Sequence, residues 1–180
     1  SLMLLILLSP MMLIIAVAIK IESKGPVIFK QNRVGYNGKT FRLYKFRTMY
    51  SNTDPLGTSP MNSSDRRVTR TGAILRRFAI DEWPQFYNIL KGDMSFVGPR
   101  PQLANELAEF REQYPELLRK RLTVRPGLTC TWAICRNKIK IKPTLEMLEE
   151  DCRYVDRTSF REDARIFFKT ILYILKLDRR

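Results

Sequence analysis

Charge is absent from residues 2–19, and polar and apolar positions alternate with changing period after them. A continuous helix over the apolar stretch would be about 27 Å long, marginal for a hydrocarbon core of about 30 Å. Ser9-Pro10 sits in its middle. Pro10 removes a backbone donor, and the Ser9 hydroxyl can take up a carbonyl left free there, so the pattern predicts helix-break-helix. Two short arms would dip into one leaflet and return, whereas a kinked helix would span; both readings stay open on the residues alone. Lys20 and Lys24 place the following chain on the cytoplasmic side by the positive-inside rule.

Gly25-Pro26 closes this segment. Val27-Ile28-Phe29 predicts a short strand, and the alternation from Phe41 to Phe46 predicts its hairpin partner across Gly35 and Asn37-Gly38. Residues 51–64, rich in Ser, Asn, Thr, Pro and Gly, predict a surface loop suited to a lid. Helices are expected at 70–78, from Asp81 to Gly92, at 102–113 and at 115–122, with turns at Gly98-Pro99-Arg100-Pro101 and Pro126-Gly127. From Phe160 the residues Ala164, Phe167, Phe168, Ile171, Leu172 and Leu175 recur at helical spacing and predict an amphipathic last helix, for the core or a membrane interface. The fold class is therefore α+β, mostly helical: a membrane helix over 1–24 broken at Ser9-Pro10, then a domain over 25–180 with a small β element and several amphipathic interfacial helices.

Composition narrows the chemistry. The 32 Lys and Arg against 18 Asp and Glu leave a net charge of +14, which favours phosphates, nucleotides, acidic headgroups or nucleic acid as partners. There is no histidine, so acid-base and metal-binding work falls to carboxylates, Lys or Tyr. Cys130, Cys135 and Cys152 form no C-x-x-C pair and fit a reducing compartment better than a disulfide framework or a zinc site.

Asp81-Glu82-Trp83-Pro84 has the form of a helix start, with Asp81 as N-cap and Pro84 in the first turn. There the helix dipole would keep Asp81 ionised and draw an anion to the same spot. A plain cap with an exposed Glu is the simpler reading of such a pair. Its surroundings favour chemistry: Arg66, Arg67, Arg70, Arg76 and Arg77 precede it, and Arg100 follows in a proline-clamped turn. Arginine suits bidentate phosphate contacts, and attack on a phosphoryl group by a carboxylate needs such neutralisation, commonly with a divalent metal. Glu82 and Asp93 are candidate oxygen ligands for magnesium. A solvated helix face is the competing reading of the Arg run.

The run from Asp81 to Gln85, followed by Asn88-Ile89-Leu90-Lys91-Gly92-Asp93-Met94-Ser95-Phe96-Val97-Gly98-Pro99-Arg100-Pro101, resembles the core signature of the bacterial sugar transferases. These are monotopic phosphoglycosyl transferases that begin glycoconjugate assembly on polyprenyl phosphate. Residues 25–35, Asn37-Gly38-Lys39, Lys45-Phe46-Arg47-Thr48-Met49 and Arg125-Pro126-Gly127-Leu128-Thr129 also resemble the family. The resemblance implies that Asp81 attacks the sugar-linked phosphate of a UDP-sugar and releases UMP. The aspartyl phosphosugar then passes to polyprenyl (undecaprenyl) phosphate. It also implies that Glu82 binds Mg2+, that Arg76 and Arg100 hold substrate phosphates, and that Ser9-Pro10 makes the membrane helix re-entrant. Lys45, Arg47, Arg67 and Pro99 match as possible substrate-binding residues. The implied site lies on the cytoplasmic face of the bacterial inner membrane. The implied partners are membrane lipids and a second copy in a homodimer, not nucleic acid.

The chain departs from the pattern in two places. The basic, aspartate-containing motif that usually precedes the hydrophobic helix is absent, which suggests an N-terminal truncation. After Thr129 the usual Gln and glycines give way to Cys130-Thr131-Trp132-Ala133-Ile134-Cys135-Arg136-Asn137. A non-enzymatic basic surface module, and direct transfer through a ternary complex with Asp81 as metal ligand, are the competing functions. No residue pattern names the sugar.

Overall fold

A computed structural model describes residues 1–51, 65–134 and 144–177. The expected loop at 51–64, Ser51 apart, and the end of the divergent 130–137 segment from Cys135 lie outside the described residues, as does the side chain of Leu175.

The first helix, α1 (Leu2–Glu22), runs through Pro10 as one element instead of two separate arms. Pro10 lacks the N–H that would reach the Ile6 carbonyl one turn back. The Ser9 hydroxyl donates to that carbonyl at 2.8 Å, so the missing bond is replaced locally and the helix continues. At Leu2–Glu22 its length is about 32 Å, enough to cross a bilayer by length and composition. Met3, Leu7, Leu13 and Ile21 are exposed, and only Ile15 and Ile19 are buried. These two pack with Phe46, Leu75, Ile80 and Trp83, so the C-terminal half of α1 shares a core with the polar part of the chain.

The same end of α1 is tied down by charge. Buried Arg47 donates from Nη2 to the Ser23 carbonyl and hydroxyl at 2.7 and 2.8 Å and from Nη1 to the Lys24 carbonyl at 3.0 Å. A guanidinium there answers the carbonyls that a helix leaves unpaired at its end. Glu22 accepts from the backbone N–H of Arg70 and Thr71, at the start of α2 (Arg70–Arg77), whose N-cap Thr69 accepts from Gly72 N–H at 2.9 Å. The end of the apolar helix therefore caps the start of the helix that carries Arg76.

Between α1 and α2 lies an antiparallel hairpin, β1 (Ile28–Val34) and β2 (Thr40–Phe46), in register from Ile28 opposite Phe46 to Val34 opposite Thr40. The strand expected at 27–29 thus extends to Val34, and its turn uses positive φ at Asn37 and Gly38, 51° and 74°. Beyond α2 the expected helix from Asp81 does not start there. Ile80–Glu82 forms a single 3-10 turn after Ala79, which has φ 54°, and α3 (Gln85–Leu90) begins only after Pro84. Asp81 is therefore not an N-cap. Gly92, at φ 80°, follows α3 as its position predicted. Fully buried Asn88 donates to the Arg42 carbonyl and accepts from Tyr44 N–H, so α3 holds the edge of β2 as a neighbouring strand would.

A second, parallel pair joins β3 (Ser95–Val97) to β4 (Gly127–Thr129), the strands flanking α4 (Ala108–Gln113) and α5 (Pro115–Arg121). The helix expected over 102–113 is confined to its second half because the backbone before it pairs with β1: Val34 N–H donates to the Gln102 carbonyl at 2.9 Å. α6 (Leu145–Arg157) has no counterpart in the sequence expectation, although Leu145, Leu148, Cys152 and Val155 follow helical spacing. Leu148 joins Val34, Leu107, Phe110 and Leu118 in the main core, beside a buried Arg121–Asp151 ion pair at 2.8 Å. α7 (Phe160–Leu177) packs through Ile166 and Phe167 against Val97 and Tyr154, leaving Phe160, Phe168, Ile171 and Leu172 exposed.

Two substitutions test these contacts. A Cβ at Gly72 would lie 2.2 Å from the Thr48 carbonyl oxygen, which is backbone and cannot rotate away. Gly72→Ala is expected to lower stability by about 1–3 kcal/mol in thermal unfolding of the detergent-solubilised protein. Asp151→Ala leaves the Arg121 guanidinium buried without its partner and is expected to cost about 3–5 kcal/mol by the same measurement.

Candidate active site

The apolar residues on either side of Asp81-Glu82 set its position. Ile80 and Trp83 sit in the cluster with α1, Phe46 and Leu75, so the turn is anchored at both shoulders while the two carboxylates between them are left for polar partners. Lys45, from β2, reaches Glu82 Oε1 with its Nζ at 2.5 Å, and both side chains are only about a quarter exposed, 23% and 22%. Burial by itself would raise the Glu82 carboxyl, but Lys45, Arg100 and the Gln85 side chain outweigh it and hold Glu82 below the ordinary carboxylate range.

Asp81 behaves in the opposite way. Burial, opposed by Lys45 and Arg76 and reinforced by the charge of Glu82, pushes it up to about 6. The expected helix from Asp81 to Gly92 would have held Asp81 ionised through its dipole; Asp81 lies instead in a 3-10 turn, and burial prevails. Adjacent carboxylates whose environments drive their proton affinities apart are suited to different roles: one remains an anion, while the other becomes a stronger base and nucleophile once deprotonated.

Around this pair the structure brings together five of the residues expected from the sequence: Asp81, Glu82, Lys45, Arg76 and Arg100. Arg76 donates from Nε to the Thr48 hydroxyl at 2.8 Å, and its charge acts on Asp81. Arg100 is exposed, and its charge acts on Glu82. Pro99 is buried, and its carbonyl accepts from Gly127 N–H at 3.0 Å, so it fixes the turn that carries Arg100.

The remaining candidates are engaged elsewhere. Arg47 holds the end of α1 through the contacts described above. Arg67 is paired with Asp65, Nη2 to Oδ2 at 2.8 Å and Nε to Oδ1 at 3.0 Å. It lines an open cleft of about 480 Å3 with Lys24, Tyr50 and Arg66 beside the end of α1. Asp93 pairs with Lys91 at 3.1 Å and accepts from Asn88 Nδ2 at 3.3 Å. Ser9 and Pro10 lie within α1.

Among the described residues no three His, Cys, Asp or Glu side chains cluster as a metal cage. Glu82 nevertheless fits magnesium, which commonly takes one or two carboxylates and fills its remaining positions with water and substrate phosphate. Sequence reasoning gave no role to Arg33, whose charge interacts with both Glu82 and Arg100. Beyond its place in the family-like run 25–35, its signal was the two-residue spacing Phe29, Gln31, Arg33, which puts these three on the less exposed face of β1.

The bacterial sugar transferase family model matches residues 1–177. Over 171 residues the chain is 43% identical to the UDP-N-acetylgalactosamine-undecaprenyl-phosphate N-acetylgalactosaminephosphotransferase of Aeromonas hydrophila, covering 94% of this chain and 40% of that protein. It is 38% identical over 176 residues to the UDP-glucose:undecaprenyl-phosphate glucose-1-phosphate transferase of Caulobacter vibrioides, covering 96% of this chain and 65% of that protein. Identity to the exopolysaccharide production protein ExoY of Sinorhizobium fredii is 37% over 183 residues, covering 93% of this chain and 78% of that one. The chain thus spans less than two thirds of the length of the first two relatives. With the family model matched along nearly its whole length, the chain belongs to the bacterial sugar transferase family.

Proposed function

We propose that this chain is a phosphoglycosyl transferase that moves a phosphosugar from a UDP-sugar to polyprenyl phosphate through a covalent intermediate on Asp81. The observation that carries the reading is the opposed state of two adjacent carboxylates inside a cationic cluster, Asp81 raised and Glu82 lowered, at the end of an apolar helix. The related transferases named above act on undecaprenyl phosphate by their descriptions, which supports the lipid acceptor.

In the first step an Asp81 carboxylate oxygen forms a bond to the sugar-linked phosphorus. The bond from that phosphorus to the bridging oxygen breaks, and UMP leaves with the electron pair. In the second step an oxygen of polyprenyl phosphate attacks the same phosphorus and expels the Asp81 carboxylate, giving a polyprenyl diphosphosugar. The covalent stage divides one displacement into two and lets the nucleotide leave before the lipid reacts. Arg76 and Arg100 neutralise phosphoryl oxygens from two sides. Lys45 keeps Glu82 ionised, and Glu82 would hold Mg2+, which when bound neutralises the diphosphate.

The proposed location rests on the apolar first helix and the basic residues after it. In this reading α1 inserts in the inner membrane with Lys20, Lys24 and the Arg-rich segment on the cytoplasmic side, and the backbone bond missing at Pro10 supports a monotopic insertion that bends there in the bilayer, although the helix is continuous in this structure. The exposed Phe160, Phe168 and Leu172 of α7 suit the headgroup boundary. A site held there meets a nucleotide from the cytosol and a lipid phosphate from the bilayer.

Three measurements test the chemistry and a fourth the topology. Asp81→Asn is expected to lower UMP release at least about a hundredfold while membrane association is unchanged. Wild-type protein given radiolabelled UDP-sugar without acceptor should retain label on Asp81, and absence of an adduct would favour direct transfer. Chelation with EDTA should abolish UMP release and Mg2+ should restore it. For the topology, cysteines introduced at Leu2 and at Lys24 are expected to react with an impermeant reagent from the same side of the membrane; labelling from opposite sides would establish a spanning helix.

A further inference from the structure

Arg100 is the exposed member of the cationic cluster, yet its backbone is held unusually firmly. The carbonyl of Arg100 accepts from Nη2 of Arg121 at 2.6 Å, and Arg121 is itself fixed by its buried ion pair with Asp151. The next carbonyl along, that of Pro101, accepts from Nη1 of Arg33 at 3.3 Å. Arg33 Nη1 also lies 3.3 Å from Glu106 Oε2, which accepts in turn from Leu103 N–H at 2.7 Å, and Arg33 Nη2 donates to Gln31 Oε1 at 2.7 Å. Two guanidiniums from two different elements, β1 and α5, thus take consecutive carbonyls, that of one exposed arginine and the one after it.

We propose that Arg33 is a positioning residue for Arg100, clamping residues 101–106 to β1 so that the Arg100 guanidinium is presented at a fixed place beside Glu82. The inference rests on the reading that Arg100 holds a substrate phosphate. Simple attachment of the loop does not require Arg33, because Val34 N–H already pairs with the Gln102 carbonyl. With its Nη donors committed to Pro101, Glu106 and Gln31, Arg33 acts through the loop and not on the phosphate itself. The advantage is preorganisation: a phosphate-binding arginine on a loose loop must be ordered by each substrate, and a misplacement of about 1 Å can cost about a hundredfold in rate.

A double-mutant cycle on kcat/KM for the UDP-sugar, with Mg2+ and polyprenyl phosphate present, tests this. Arg33→Gln and Arg100→Ala are each expected to lower kcat/KM by about 10- to 100-fold. If Arg33 acts through Arg100, the double variant should fall within about threefold of Arg100→Ala alone. Losses that multiply, or an Arg33→Gln enzyme with unchanged kcat/KM, would overturn the proposal. Where Arg33→Gln fails to fold, Glu106→Gln, which removes the charge facing Arg33 but keeps an acceptor for Leu103, takes its place in the same cycle. Asp81→Asn measured in parallel separates the two ideas, because turnover surviving there defeats the covalent mechanism and leaves the coupling between positions 33 and 100 to be judged by the cycle.

Discussion

The contact between Lys45 and Glu82 joins everything the site requires. It connects the hairpin to the 3-10 turn, two pieces that meet only in the folded chain. It also decides a charge state: with Lys45 against it, Glu82 stays an anion despite partial burial, and that anion next door adds to the burial that raises Asp81. Lys45 attracts both carboxylates, but its hydrogen bond, that of Gln85 and the charge of Arg100 fall on Glu82, and these separate two carboxylates that the sequence presents as neighbours of similar chemistry.

The apolar helix is part of this machinery and not merely attached to it. Ile15 and Ile19 pack against the residues that flank the carboxylate pair, Arg47 binds the Ser23 and Lys24 carbonyls just past α1, and Glu22 caps the helix bearing Arg76. The site and the helix end are consequently fixed to one another within a few contacts. Under the proposed reaction, with a lipid phosphate as acceptor, that rigidity would set the depth at which chemistry takes place, an arrangement that a flexible linker would not provide.

Arginines serve in this molecule at three levels of burial. Arg47 and Arg121 are inside and bind backbone carbonyls; Arg33 and Arg76 are partly buried at the rim of the site; Arg100 is exposed. The net charge of +14 says only that anions are favoured. Sorting these residues into structural and substrate-facing groups depends on which carbonyls and carboxylates the fold places within reach of each guanidinium.

The sequence by itself determined the family, the mostly helical α+β class, the hairpin, the apolar first helix and the identity of the carboxylate pair. Each of these is written in local patterns: uncharged runs, two-residue alternation, glycine and proline punctuation, and a long contiguous motif. Even the role of Ser9, a hydroxyl beside a proline, follows from bonds that reach only one turn along the chain. The tertiary structure decided what depended on distant partners. Asp81 turned out to lie in a 3-10 turn and not at a helix N-cap, because Ile80 and Trp83 are drawn into a core shared with α1. Arg47 turned out to close a helix, because the β2 strand ends beside Ser23 and Lys24. The short parallel pair of β3 and β4 was hidden, since each strand has three residues and pairs with a partner some thirty positions away. Burial and charge are sums over neighbours in space, so the difference in proton affinity between Asp81 and Glu82 had no local signature to read.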